Sequence, residues 1–399
     1  MLQILTAGES HGPQLTAILE GFPAGFKIDI DKINFQLARR QKGYGRGGRM
    51  KIEKDEIQIV SGVRGSVTLG GPITFVIPNR DWANWQNIMD PVKPISKQLN
   101  LKEKRLAYET TKPRPGHADL AGAIKWNHSD LRNVLERASA RETTARVAIC
   151  SVPRQLMEYF DVQFASHVVR IADVELKDGH DISNLDKIIK NTENSEVRCI
   201  DKKTEAKMTA AIKSAKSKRD SVGGVVEVIV RGLPAGLGSL SQWYKRLDGR
   251  LAQAMMSIQS VKGVEIGLGF KSAAMRGSQV HDEIFYSKSA GAHQKNYFRK
   301  TNNAGGLEGG ITNGEDIVVR VASKPLSTLN QPLKTVDIKS KKPAEAMVER
   351  TDNCVIPALA VICEAMAAFV VCDAFLEKFG CDNLREIESN YKNYLKSPF

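Results

Sequence analysis

The strongest constraint on the fold is an apolar run near the end of the chain, residues 355–372, whose only charged side chain is Glu364. Such a run belongs either in a bilayer or in the middle of a large core. A bilayer span takes about 20 residues, and Pro357 sits near the start of this one. The expectation is therefore a buried core helix over 357–379. Cys354, Cys363, Cys372 and Cys381 recur every nine residues. On a helix that step is a rotation of about 900° and a rise of roughly 13 Å. Neighbouring thiols then face opposite sides and can neither bridge nor share a metal. Reduced, buried cysteines in a cytoplasmic protein are expected.

A helix that is apolar all round needs other elements to cover it. The 399 residues allow two or three domains or one large one. No Pro/Ser-rich linker divides them and no solenoid-like repeat appears, which favours a single α/β (α+β) domain over 1–399 with several long helices and two or more sheets. Strands are expected at 2–5, 51–61, 162–174, 224–230 and 316–322. Helices are expected at 31–40 with Asp31 as cap, at 118–126, at 130–150, at 202–219 as a solvated basic face, and at 247–261. In the last of these Leu247, Leu251, Met255 and Ile258 form one apolar stripe. Residues 82–94, rich in Trp and Pro, read as irregular. The N-terminus has no basic start followed by a long apolar run, so a secretory signal is not expected.

Lys and Arg number 58 against 45 Asp and Glu, a formal charge of +13. That excess fits nucleic acid or a multiply anionic small molecule. Arg39, Arg40, Lys42, Arg46, Arg49 and Lys51 run without an acid among Gly43, Gly45, Gly47 and Gly48. With too many glycines for a helix, 41–50 reads as a mobile basic loop. An RNA-binding role is disfavoured, because only 6% of residues are aromatic and Tyr44 is the sole ring in that run.

The remaining glycine-rich turns carry chemistry. Ser10 and His11 lie between Gly8 and Gly12, a turn able to cradle phosphate with an imidazole at hand. Arg114, His117 and Asp119 surround a Pro-Gly turn; Arg137, Ser139 and Arg141 fall in a helical window; Gly305, Gly306, Gly309 and Gly310 crowd ten residues. Lys324, Pro325, Leu326, Ser327 and Thr328 place a cation and two hydroxyls on a rigid turn, and Arg350 and Asp352 precede the last long helix. Plainer readings exist: Asp119 or Asp352 as helix caps, and Arg137 and Arg141 paired with Glu136 and Glu142. No HExxH or other close pair occurs among the seven histidines, so no metal site is expected. Dinucleotide-type GxGxxG and GxxxxGK[ST] motifs are absent.

In this order and at these distances the segments resemble chorismate synthase. They are GESHG at 8–12, RRQKGYGRG at 39–47, RPGHAD at 114–119, RASARET at 137–143, SIQSVKGVEIG at 257–267, NNAGGLEGGITNG at 302–314, KPLST at 324–328 and TDNCVIPA at 351–358. The resemblance implies a β-α-β sandwich with long helices packed between two sheets, and usually a homotetramer. It implies conversion of 5-enolpyruvylshikimate 3-phosphate to chorismate and phosphate by trans-1,4-elimination with reduced FMN, in the pathway to aromatic amino acids. It implies that His11 serves the departing phosphate, that His117 sits by the flavin, and that Asp352 accepts the C6 proton through flavin N5. Ser10 and Ser139 would support that network. Arg137, Ala138, Ser139, Gln259, Ser260, Gly309, Lys324, Pro325, Leu326, Ser327, Thr328 and Arg350 map onto flavin-binding segments. Arg40 and Arg46 match positions assigned to NADP in the family. Together with Arg49 and Arg141 they suit substrate phosphate and carboxylate equally well, with NADPH entering only as a reductant. A flavin reductase consuming NADPH is the second alternative. Thr144 departs from the family's usual alanine, and residues 277–300, with His281 and His293, read as surface or subunit contacts.

Overall fold

Burial of apolar surface fixes the position of the long run. It forms the helix Ile356–Phe379, with Pro357 in the first turn, where a missing amide costs nothing. Gly380 ends it at φ 101°. The computed structural model of the chain describes residues 2–47, 54–95, 99–100, 103, 108–177, 179–289, 291–349 and 351–397. The helix is buried around almost its whole circumference. It lies against Ile30–Gln41, Thr143–Tyr159 and Leu247–Met256 and against the strands Gln163–Ile171 and Gly224–Arg231.

Its fully buried carboxylate is met by cations. Glu364 accepts from Arg39 at 2.8 and 3.0 Å, from Arg154 at 2.5 Å and from Ser166 at 2.5 Å, with Arg198 3.6 Å away. Burial would raise this carboxyl, but the three guanidiniums outweigh it and hold it well below the usual range.

Two antiparallel sheets complete the core. One has the spatial order Gln3–Ala7, Gln14–Glu20, Ile73–Pro78, Gln58–Ser61. Leu15, Ala17 and Leu19 alternate inward from its second strand and meet Thr143–Tyr159. The other runs Val261–Ile266, Ile317–Ser323, Gly224–Arg231, Gln163–Ile171, Val174–Glu175. All pairings between these strands are antiparallel, so the class is α+β.

Several boundaries differ from the sequence expectation. The first helix begins at Ile30, and Asp29, not Asp31, caps it by accepting from Lys32 N. The expected 130–150 helix is broken into Arg132–Ala138, a 3₁₀ turn Ala140–Glu142 and Thr143–Tyr159. Ser139 causes the break: it is extended at ψ 140° and its hydroxyl accepts from Arg141 N, restarting the chain in a new direction. The 247–261 segment is helical only to Met256, and Val261 opens a strand, yet Leu247, Leu251, Met255 and Ile258 are all buried as expected. In Gly224–Arg231 both faces are covered, Glu227 and Ile229 included. Five cysteines are buried free thiols, but Cys381 lies beyond the helix and is exposed.

Candidate active site

The helix break at Ser139, the turn after Gln3–Ala7, the 110–118 segment and the 324–328 turn enclose a cleft of about 1160 Å³. Ser10, His11, Arg40, Arg46, His117, Ala138, Ser139, Arg141, Gln259, Ser260, residues 324–328 and Asp352 all line it. They come from segments more than 300 residues apart in sequence, yet they share one wall or another of a single space.

The first corner is built on His11. Gly8 takes φ 104°, and a Cβ there would stand 2.4 Å from the Gln14 carbonyl, so only glycine makes this turn. The His11 ring faces Glu136 through Nδ1 at 2.9 Å, and its backbone amide donates to the same carboxylate at 2.8 Å. The ring stacks on buried Trp85 at 4.0 Å between centroids, and Arg132 covers the indole at 5.1 Å. Burial pushes the Glu136 carboxyl up, but the hydrogen bonds and charge of His11 and the charge of Arg132 outweigh it and leave it lowered. Ser139 Oγ donates to Ser10 Oγ at 3.1 Å beside this corner.

The second corner is built on His117. Asp119, fully buried, does not cap its helix; it receives Arg114 through the backbone amide, Nε and Nη2 at 3.0, 2.8 and 3.0 Å, and His117 Nδ1 lies 2.6 Å away. Burial opposes ionisation of Asp119, but His117 and Arg114 win, and its carboxyl is held well below the carboxylate range. Arg114 also donates to Thr328 at 2.7 Å, and Lys324 Nζ donates to the Gly116 carbonyl, so the 114–119 and 324–328 turns are locked together.

The third corner gathers arginines. Arg40 donates to Thr143 Oγ1 at 3.0 and 2.8 Å and to the Ala140 carbonyl at 2.9 Å. Its Nη1 is buried without a hydrogen-bond partner, 3.9 Å from Asp55. Arg141 donates to Asp55 at 2.6 Å and to Asn79 at 3.0 and 2.9 Å. Arg46 approaches Asp352 at 3.4 Å, and Asp352 also accepts from Gly47 N, so it is not a helix cap. Burial pushes the Arg40 guanidinium down to about 9; Asp55 opposes that, and the like charges of Arg46 and Arg141 add to it. The described part of the basic loop is pinned: Tyr44 N donates to the Glu196 carbonyl, Asn353 N donates to Gly45, and Gly43 sits against Pro357. Thr144, buried, accepts from Arg141 at 3.3 Å.

Other expected residues fall elsewhere. Arg137 donates to the Thr6 carbonyl and hydroxyl at 2.8 Å each, outside the cleft lining; the helix break separates it from Arg141. Gly309 turns the hairpin between Leu307–Glu308 and Ile311–Thr312, also outside it. Arg49 and Arg350 lie outside the described residues. Trp85 and Arg132 escaped sequence reading, and Glu136 was read only as a partner for Arg137. The i,i+4 spacing of Arg132 and Glu136 was a usable signal; nothing local marked Trp85 as the ring under His11.

An α+β fold with a cleft that gathers Arg40, Arg46 and Arg141 and two carboxylate-held histidines defines a protein for a multiply anionic small molecule. A family model for chorismate synthase matches residues 2–376. The chorismate synthase of Alkaliphilus metalliredigens is 53% identical over 99% of both chains. That of Geobacter metallireducens is 54% identical over 99% of this chain and 98% of its own. A chorismate synthase crystal structure matches with TM-score 0.76 at 42% identity, covering 99% of this chain and 97% of that one. The chain belongs to the chorismate synthase family.

Proposed function

We propose that this protein catalyses trans-1,4-elimination of phosphate from 5-enolpyruvylshikimate 3-phosphate to give chorismate, as a cytoplasmic homotetramer of single β-α-β sandwich domains. The observation that carries the reading is the arginine corner. Arg40, Arg46 and Arg141 converge on the cleft, and Arg40 keeps one buried N–H group unmet. Packing like charges at low dielectric is costly, and a phosphate or carboxylate bound among them relieves that cost.

Reduced FMN fits the remaining wall. Gln259 Oε1 is buried without a hydrogen-bond partner, and Gly116 leaves room between Lys324 and Ser327 where a Cβ would stand 3.2 Å from Lys324 Nζ. The cleft is larger than the roughly 300–1,000 Å³ of a typical small-molecule pocket, as two ligands together need. Gln259, Ser260, Ala138 and residues 324–328 would hold the flavin, whose reduced ring supplies electron density while the C3–O bond breaks. NADPH enters this reading only as a reductant.

The protein's own groups do the rest. His11, oriented by Glu136 and Trp85, donates a hydrogen bond to the departing phosphate. Arg40 and Arg46 neutralise the substrate's anionic groups, Asp352 takes up the C6 proton, and His117 is fixed by Asp119 at the flavin wall. Anaerobic assay of phosphate release, with and without chemically reduced FMN, tests the proposal. Release with chorismate absorbance only when reduced FMN is present is expected; no release from folded, flavin-bound protein would overturn it.

A further inference from the structure

His167 on Gln163–Ile171 stands opposite Glu227 on Gly224–Arg231, and His180 reaches the same point from the connection that follows Val174–Glu175. The two histidine Nε2 atoms are 2.9 Å apart; Glu227 Oε1 lies 3.1 Å from that of His180 and 3.4 Å from that of His167. The three atoms make a nearly equilateral triangle. One proton links these three atoms only through a bent three-centre hydrogen bond, and two protonated nitrogens at 2.9 Å would repel. A cation above the triangle, at about 2.0–2.1 Å from each corner, satisfies all three at once.

Contacts around His180 and Glu227 aim two of these atoms. The Lys177 carbonyl, 3.4 Å from His180 Nδ1, can only accept, so it favours the tautomer that carries the proton there and leaves Nε2 to ligate. Arg320 donates to Glu227 Oε2 at 2.7 Å and leaves Oε1 turned to the histidines. Such outer contacts fix metal ligands. His167 and Glu227 are buried, whereas the His180 side chain keeps 11% exposure and gives access from solvent.

We propose that His167, His180 and Glu227 form a site for one divalent ion of the zinc class, separate from the cleft, whose lining includes none of them. Two imidazoles with one carboxylate suit zinc-class ions, whereas Mg²⁺ and Ca²⁺ depend on several oxygen ligands. The bound ion ties the adjacent strands Gln163–Ile171 and Gly224–Arg231 to His180. Sequence spacing hides the site, because its histidines are 13 residues apart and Glu227 is 47 beyond His180.

The test is titration of the chelator-stripped full chain with Co²⁺ and Zn²⁺, read by cobalt absorption, by competition with a chromophoric chelator and by thermal unfolding. One ion per chain and a raised Tm are expected. His180→Ala, at the solvent side, and Glu227→Gln should each weaken binding by about 100-fold or more and abolish the rise. Phosphate release by His180→Ala should stay at the wild-type rate. Binding unaltered in either folded variant, or none by the folded wild type, would overturn the proposal.

Discussion

Glu136 holds His11 at two points, through the backbone amide at 2.8 Å and the ring Nδ1 at 2.9 Å, while Trp85 covers the ring face. The carboxylate is buried yet kept below its ordinary pKa, so its charge is present across the neutral range. Glu136→Gln keeps the shape and removes that charge. Turnover should fall by at least about 10-fold, because the ring is no longer held by a charged acceptor. Turnover unchanged in the folded variant would mean that Glu136 only packs.

His117 and Asp352 come from opposite ends of the chain and both line the cleft. His117→Ala and Asp352→Ala should each cut turnover by about 10²-fold or more while FMN still binds, as loss of an acid–base group does. Flavin fluorescence quenching measures the binding. If affinity for FMN falls and single-turnover rates with saturating flavin do not, the two residues are binding elements.

Much of this site was legible because its pieces are local. Turn residues such as Gly8 and Gly116, and the side chains beside them, announce themselves within five or six positions, and so did the apolar helix. What was not legible depends on pairing across the fold. Arg137 and Arg141 look like helical neighbours until Ser139 accepts from Arg141 N and breaks the helix, sending one to Thr6 and the other to Asp55. Trp85 sits in a stretch without periodicity, and only the meeting of the 80–89 segment with the 8–12 turn gives it a role. In the described part of the 41–50 loop, Gly43 and Gly45 are there because Pro357, Ile212 and Cys354 press on the backbone.

Arg40 presents a planar fork, two edges of which already grip Thr143 and Ala140. Arg40→Lys keeps a charge but cannot hold those groups and the ligand together. A charged hydrogen bond is worth about 1.5–3 kcal/mol, so KM for the phosphorylated substrate should rise by roughly 10-fold to 100-fold. Flavin affinity should change less. Equal losses for both ligands would move Arg40 from substrate recognition to general support of the cleft. Thr144→Ala is the matched control: its 3.3 Å contact with Arg141 should cost about 1 kcal/mol of stability and leave KM near wild type.

Glu364 is the fully buried carboxylate of the central helix, and its removal tests what holds that helix in place. Glu364→Gln leaves Arg39, Arg154 and Arg198 close together without their shared anion. Breaking a buried pair in this way costs about 3–5 kcal/mol, to be measured by urea unfolding at neutral pH. The pH dependence has a definite sign. The folded carboxyl is held well below its unfolded value of about 4.3, so its contribution is complete above that pH and is lost as pH falls towards the folded value. Wild-type stability should therefore lose this contribution only in acid, and the variant should show a flatter acid limb. A variant as stable as wild type at pH 7 would mean that the apolar face alone seats the helix.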